Sequence, residues 1–229
     1  MKSFLDDFTL PTYNSRVFHH VPHWEKIAKL GDSIFLPENH YLVSPGDKVE
    51  YCYLLKEGRI ITLEITQDGE MHIFNIFEAG SLLLESNLLA DYESNIFCQT
   101  TMPTELVRIG AEPLKEGIRN DPDIMQAVFE SFASKYYSAM DQLKENYNHD
   151  AMWKIYNMLM LLSQNMGKPF SDEWVMIDMK ITQQFICNML GLNRITVSRA
   201  LKEMREKDML MTVNSNYCVR KPQYKTDES

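Results

Sequence analysis

Arg194 and Ser198 stand four residues apart, as do Ile195 and Arg199, and Lys202 follows on the same side. Residues at this spacing share one face of a helix. Such a face carries two guanidinium forks, a hydroxyl, an apolar branch and an ammonium group, and each has a counterpart in a DNA major groove. Arg pairs in bidentate fashion with guanine O6 and N7, Ser donates or accepts, and Ile can touch a thymine methyl. Thr182, Gln183 and Thr196 fall where helices are expected to start, a position at which backbone amides and hydroxyls suit phosphate. With Asn193, they complete a candidate nucleic-acid set of Thr182, Gln183, Asn193, Arg194, Ile195, Thr196, Ser198, Arg199 and Lys202.

The stretch "ITQQFICNMLGLNRITVSRALKEM", Ile181 to Met204, supplies the elements that position these groups. Thr182 is a good N-cap for a helix whose apolar face is Phe185, Ile186, Met189 and Leu190. Gly191 stands where a left-handed residue ends a helix. Leu192 points inward, and Asn193 caps a second helix that packs through Val197, Ala200, Leu201 and Met204. Two helices joined by a short glycine turn form a helix-turn-helix. "MLMTVNSNYCVRK" then reads as a small hairpin or wing around Asn214 to Asn216, ending in Arg220 and Lys221, which could reach a phosphate.

Charge agrees with this division of labour. The chain has a formal net charge of -9, but Met1 to Asn148 holds 12 basic against 23 acidic residues, and His149 to Ser229 holds 11 against 9. The second part is therefore free to approach a polyanion.

Upstream, an N-terminal arm reaches about Gly31. Short β-rich runs then follow from about Phe35 to Ile109, punctuated by Pro45-Gly46-Asp47, Lys56-Glu57-Gly58 and Asp68-Gly69, which argues for a β-barrel or sandwich. A helix is expected from Asp121-Pro122. Its apolar positions Met125, Phe129, Phe132, Tyr136, Ala139 and Leu143 advance by steps of four and three, the seam of a helix that pairs with another helix. "NYNHD", Asn146 to Asp150, reads as a hinge, Ala151 to Gln164 as a helix, "NMGKPFSDE" as a loop and "WVMIDMK" as a strand.

Taken together, the "PGD" and "GRI" turns, the long helix, "LGLNRITVSRAL" and the wing resemble the Crp/Fnr family of bacterial transcription regulators. The resemblance implies an α+β chain with an N-terminal double-stranded β-helix, the barrel of cyclic-nucleotide-binding domains. A long dimerisation helix and a C-terminal winged helix-turn-helix would follow. Expected domains are 1–120 for sensing, including the arm, 121–148 for the dimer helix and hinge, and 149–229 for DNA. It also implies a homodimer on a roughly palindromic double-stranded operator, switched by a small effector held in the barrel, with RNA polymerase as a further candidate partner. By the same likeness Arg194 and Arg199 read bases, and Thr182 and Thr196 touch phosphate. Ile195 replaces a Glu common in the family, so the operator should differ from the catabolite-activator type.

The effector should not be a cyclic nucleotide. The family cassette has a Gly-Glu pair and then an Arg, whereas this chain has Leu84, Glu85 and, in place of the Arg, Ser94. Without that guanidinium a buried cyclic phosphate would lack its counter-charge. The expected alternative is a small, aromatic or weakly acidic molecule lined by Leu84, Glu85, Ser86, Asn87, Tyr92, Asn95, Lys135, Tyr136 and Tyr137, an arrangement loosely similar to the halorespiration branch. Lys135 would face an anionic ligand.

No cofactor or metal is expected. Cys52, Cys98, Cys187 and Cys218 lack zinc or iron-sulfur spacing and read as reduced, buried thiols. His72 has no second strand histidine, which argues against a metal-dependent cupin-like enzyme. No membrane span or secretory leader is evident, so a cytoplasmic location is expected. The remaining alternative is a ligand-binding or scaffold protein whose tri-helical end meets another protein.

Overall fold

A computed structural model describes residues 16–18 and 20–221; the rest of the N-terminal arm and the C-terminal tail lie outside the described residues. The chain divides between Gln142 and Leu143 into two compact units.

The first unit is built from β1 (Val17–Phe18), α1 (Trp24–Ile27), β2 (Asp32–Leu36), β3 (Tyr41–Val43), β4 (Tyr51–Glu57), β5 (Ile60–Ile65), β6 (Met71–Phe77), β7 (Leu82–Leu83), α2 (Glu85–Ala90), β8 (Phe97–Thr100), β9 (Thr104–Gly110), α3 (Ala111–Asn120) and the start of α4 (Pro122–Asn148). One sheet runs β1-β6-β5-β8-β3 and the other β2-β9-β4-β7. They form the double-stranded β-helix around a core that includes Leu54, Leu55, Ile60, Leu106 and Ile109. Glycine turns set the registers. Gly69 at φ 79 closes the β5–β6 hairpin, and Gly58 at φ 106 lies so close to Thr104 that a Cβ would meet its Oγ1 at 2.5 Å.

Pro122 opens α4, and Asp121 caps it by accepting from the Asp123 backbone N–H at 3.0 Å. The helix has two working faces. Ile124, Ala127, Val128, Ser131 and Ser138 are buried, whereas Met125, Phe129, Tyr136, Ala139 and Leu143 are exposed. Phe132, expected on the outward seam, is half-buried against the barrel core. The regular steps therefore identify a real apolar stripe, and a second stripe offset by about one residue holds the barrel.

The second unit contains the end of α4, α5 (Ala151–Met166), β10 (Gly167–Pro169), β11 (Trp174–Ile177), α6 (Gln183–Leu190), α7 (Arg194–Glu206), β12 (Leu210–Val213) and β13 (Asn216–Arg220). Its sheet is ordered β10-β11-β13-β12. Fully buried Ile155, Tyr156, Leu159, Val197, Leu201, Met204, Cys218 and Val219 join the helices to the sheet.

Three expectations need correction. α3 was not anticipated: its polar surface hides a short buried edge of Leu114 and Gly117, where Gly117 lets Leu30 and Ile124 approach. The expected hinge is mostly helix, since α4 runs to Asn148 and only His149 and Asp150 interrupt the helices. Asp150 caps α5 by accepting from the Trp153 N–H at 2.8 Å. Part of the expected loop is a strand, because Gly167–Pro169 pairs antiparallel with Val175–Ile177.

A candidate DNA interface and a candidate effector site

In the second unit, α6 starts where Thr182 Oγ1 accepts from the Phe185 N–H at 3.0 Å, and it ends at Gly191, φ 61. Asn193 Oδ1 accepts from the Thr196 N–H at 2.9 Å and starts α7. These local devices fix the geometry of the two helices. Val197, Ala200, Leu201 and Met204 are buried, while Arg194, Ile195, Ser198, Arg199 and Lys202 are exposed along the opposite face. Ile195 is 64% exposed, a large apolar group left in water. Thr182 and Asn193 are exposed, and Gln183 and Thr196 half-buried, at the two helix starts.

The cations of this unit fall into two classes. Lys207 pairs with Glu203 at 2.6 Å, Lys202 approaches Glu206 at 3.7 Å, and Lys168 pairs with Asp178 at 2.6 Å. Arg194 and Arg199 have no hydrogen-bond or ion-pair partner among the described residues. Arg220, expected to reach phosphate, belongs to the first class. Its guanidinium donates to Asp208 Oδ2 and to Glu173 Oε2, both at 2.8 Å, and its carbonyl accepts from the Tyr156 hydroxyl at 2.7 Å. The wing tip turns at Asn214 and Ser215, both at positive φ (49 and 68), the geometry of a tight two-residue hairpin.

In the first unit, the cassette presents a different chemistry. Leu84 is buried and held in the left-handed region at φ 62, a backbone state that costs a non-glycine residue roughly 1–2 kcal/mol. Next to it Glu85 is fully buried. Its Oε1 accepts from the Ser131 hydroxyl at 2.6 Å and from the Lys135 ammonium, and Lys135 also donates to the Leu82 carbonyl at 2.9 Å. The ammonium lies 5.7 Å from the centre of the Phe77 ring. Burial pushes the Cys52 thiol up to about 12, with a smaller upward push from Glu85, and burial likewise pushes Cys98 up to about 12.

Where an arginine would be needed for a cyclic phosphate, Ser94 is buried and its hydroxyl donates to the Ile96 carbonyl at 2.7 Å. Its backbone carbonyl accepts from Gly46 N–H at 2.7 Å, so it fastens the Pro45-Gly46-Asp47 turn.

The structure thus brings Glu85 and Lys135 together. It leaves Ser86, Tyr92, Asn95, Tyr136 and Tyr137 exposed and Asn87 half-buried. Tyr136 and Tyr137 meet edge to face at 5.7 Å on the outside of α4. Lys135 is engaged by Glu85 and is not a free cation for an anionic ligand. Sequence reasoning missed Ser131, and also a second polar cluster in which Arg16 donates to Gln142 at 3.0 Å and Gln142 donates to Asn75 at 3.3 Å. The available signal was the i, i+4 spacing of Ser131 with Lys135 and of Ser138 with Gln142, a polar stripe beside the apolar one.

Residues 33–121 match the cyclic nucleotide-binding domain model, and residues 154–224 match the model of the Crp-like helix-turn-helix domain. This chain belongs to the Crp/Fnr family. Among its family relatives, the global nitrogen regulator of Nostoc sp. is 24% identical over 186 residues, covering 80% of this chain and 83% of that one. The cAMP-activated global transcriptional regulator CRP of Pasteurella multocida is 24% identical over 175 residues, with 76% and 83% covered. Among solved structures, the fold is shared with CprK complexed with OCPA, at TM-score 0.70, 20% identity and 93% and 97% coverage. It is shared also with a CooA mutant from Carboxydothermus hydrogenoformans, at TM-score 0.72, 16% identity and 85% coverage of each chain. The family assignment makes the protein a transcriptional regulator of the Crp/Fnr type, with a DNA-binding helix-turn-helix and an effector-binding domain. Among the described residues, no helix is long and apolar enough to cross a membrane.

Proposed function

We propose that the protein is a homodimeric, sequence-specific regulator that reads a roughly palindromic operator and is controlled by a small effector other than a cyclic nucleotide. The observation that carries the DNA reading is the unpartnered state of Arg194 and Arg199 on the exposed face of α7, beside Ser198, Ile195 and Lys202. Neighbouring cations are spent on internal carboxylates, whereas these two guanidinium groups are free to pair with guanine edges. Thr182, Gln183, Asn193 and Thr196 supply backbone-phosphate contacts from the two helix starts. The outward stripe of Met125, Phe129, Tyr136, Ala139 and Leu143, with Phe132 at its margin, supports pairing of two copies through α4. Burying one large apolar side chain contributes about 1.5–3 kcal/mol, and a twofold axis buries every member twice.

The effector is held between the barrel and α4, around Glu85 and Lys135, with Leu84 as apolar wall and Asn87 at the rim. Tyr92, Asn95, Ser86, Tyr136 and Tyr137 would join only after rearrangement. Ser94 and the strained Leu84 support exclusion of cyclic nucleotides, since neither can neutralise a buried phosphate. The effector would act by favouring one of two dimer populations with different affinity for the operator.

Selection of sites from random duplex DNA by the purified full chain tests the reading. The expected result is a palindromic consensus with half-sites about one helical turn apart. Absence of any enriched sequence, with and without extract from the source cells, would favour a protein partner for the tri-helical unit instead.

A further inference from the structure

Val49, Leu88, Leu89 and Ala111 form the floor of a recess of about 370 Å³ on the first unit, where the approach to β4, the end of α2 and the start of α3 meet. Val49 and Leu88 belong to the barrel core, and Leu89 and Ala111 are half-buried against it. The volume is at the low end of those that hold small molecules. No aromatic ring lines the recess, so its floor suits a short aliphatic chain. Four charges stand around it: the ammonium groups of Lys48 and Lys115 and the carboxylates of Glu50 and Asp91. They have not paired with one another. Lys115 meets Glu112 at 3.3 Å, and the side chains of Lys48, Glu50 and Asp91 have no hydrogen-bond or ion-pair partner among the described residues. Elsewhere in this unit neighbouring opposite charges have closed on each other, as Lys26 has on Asp121 and Asp123. The walls are held by other bonds. Gly46 N–H donates to the Ser94 carbonyl at 2.7 Å and Ser94 N–H to the Asp47 carbonyl at 2.9 Å, which fastens the turn leading into Lys48. Asp91 closes α2 at φ 55, its N–H donating to the Asn87 carbonyl.

We infer that this recess binds a small zwitterion, an α-amino acid with an aliphatic side chain, its carboxylate towards Lys48 and Lys115 and its ammonium towards Glu50 and Asp91. An anion alone would meet two carboxylates, and a cation alone two ammonium groups. A dipolar ion answers both signs while its side chain covers the apolar floor. None of the lining residues belongs to the cluster of Glu85, Ser131 and Lys135, so the site is separate from the one between barrel and α4 and does not depend on it.

Three probes with the same branched carbon chain test this: L-leucine; 4-methylpentanoate, which lacks the amine; and 3-methylbutylamine, which lacks the carboxylate. Amide chemical-shift titrations of the full chain measure their affinities and show where they bind. Leucine is expected to give saturable shifts at Val49, Leu89 and Ala111, and to bind at least about tenfold more tightly than either analogue, the effect of one charge-assisted hydrogen bond. Lys48→Met should weaken leucine about tenfold and leave 3-methylbutylamine unchanged, whereas Glu50→Gln should weaken leucine and leave 4-methylpentanoate unchanged. Both side chains are exposed, so neither variant disturbs the core. Analogues that bind as well as leucine, or variants that weaken all three probes alike, would overturn the zwitterion. Leucine shifts that do not saturate would overturn the site. Saturable shifts gathered around Glu85 and Lys135 instead would overturn it as well, while leaving the effector reading in place.

Discussion

Arg220→Ala separates a structural arginine from a DNA-contacting one. The guanidinium spans Asp208, just beyond the end of α7, and Glu173, in the loop between β10 and β11, at 2.8 Å each, while the side chain keeps 25% of its exposure. It thereby clamps the end of the reading helix to the sheet that carries the wing. The Asp208 and Glu173 side chains are themselves 73% and 54% exposed, so the truncation strands no buried charge. Two partly exposed pairs at about 0.2–1 kcal/mol each give a total loss of roughly 0.5–2 kcal/mol. For a domain of this size, each kcal/mol corresponds to about 4–8 °C in Tm. Operator affinity should fall with the loosened wing, but the slope of log Kobs against log[salt] should stay at the wild-type value, because no phosphate contact has gone. A phosphate contact would lower that slope by about 0.9. Calorimetry together with fluorescence anisotropy titrations at several salt concentrations measures both quantities. An unchanged Tm with a slope reduced by about 0.9 would refute the clamp and restore Arg220 to the phosphate-binding set.

Arg199→Ala should cost about 1–3 kcal/mol against the preferred base at one operator position and little against the other bases there, measured by binding to singly substituted duplexes. Phe129→Glu, on the outward stripe, should move sedimentation equilibrium towards monomer and lower operator affinity in parallel, while leaving the unfolding of the barrel nearly unchanged. Lys135→Met should destabilise the barrel by about 3–5 kcal/mol, because it leaves the fully buried Glu85 without its cation, and Glu85→Leu combined with Lys135→Met should recover most of the loss in chemical denaturation. Cys52 and Cys98 titrate near 12 in the folded protein against an ordinary 9.0. The unfolded chain therefore loses protons first as pH rises, and unfolding free energy should fall between about pH 9 and 12. Below pH 9 both thiols should resist alkylation until the barrel unfolds.

The reading head was legible in the sequence because its determinants are local. Thr182, Gly191 and Asn193 each act within three or four residues, so cap, turn and second cap can be read in order. The outward stripe of α4 was legible for the same reason, as periodicity within one helix. α3 was not, because its buried edge is only Leu114 and Gly117 among polar neighbours. The pairing of Glu85 with Lys135 was not legible: it joins residues 50 positions apart, and no local pattern shows that one has already satisfied the other. The partners of Arg220 were hidden for a related reason. Its basicity suggested phosphate, while the carboxylates it pairs with, Asp208 and Glu173, lie 12 and 47 positions away.

The interleaved faces of α4 also limit how its length can evolve. Each residue turns a helix by about 100°, so one inserted residue would carry Phe129 and Tyr136 away from their shared stripe and shift the barrel-facing set out of register. Insertions that preserve both faces must approximate whole turns, about seven or eleven residues. Length variants of this helix among related chains should therefore come in those steps, and single-residue insertions should be tolerated only where the helix has already ended, at His149 and Asp150.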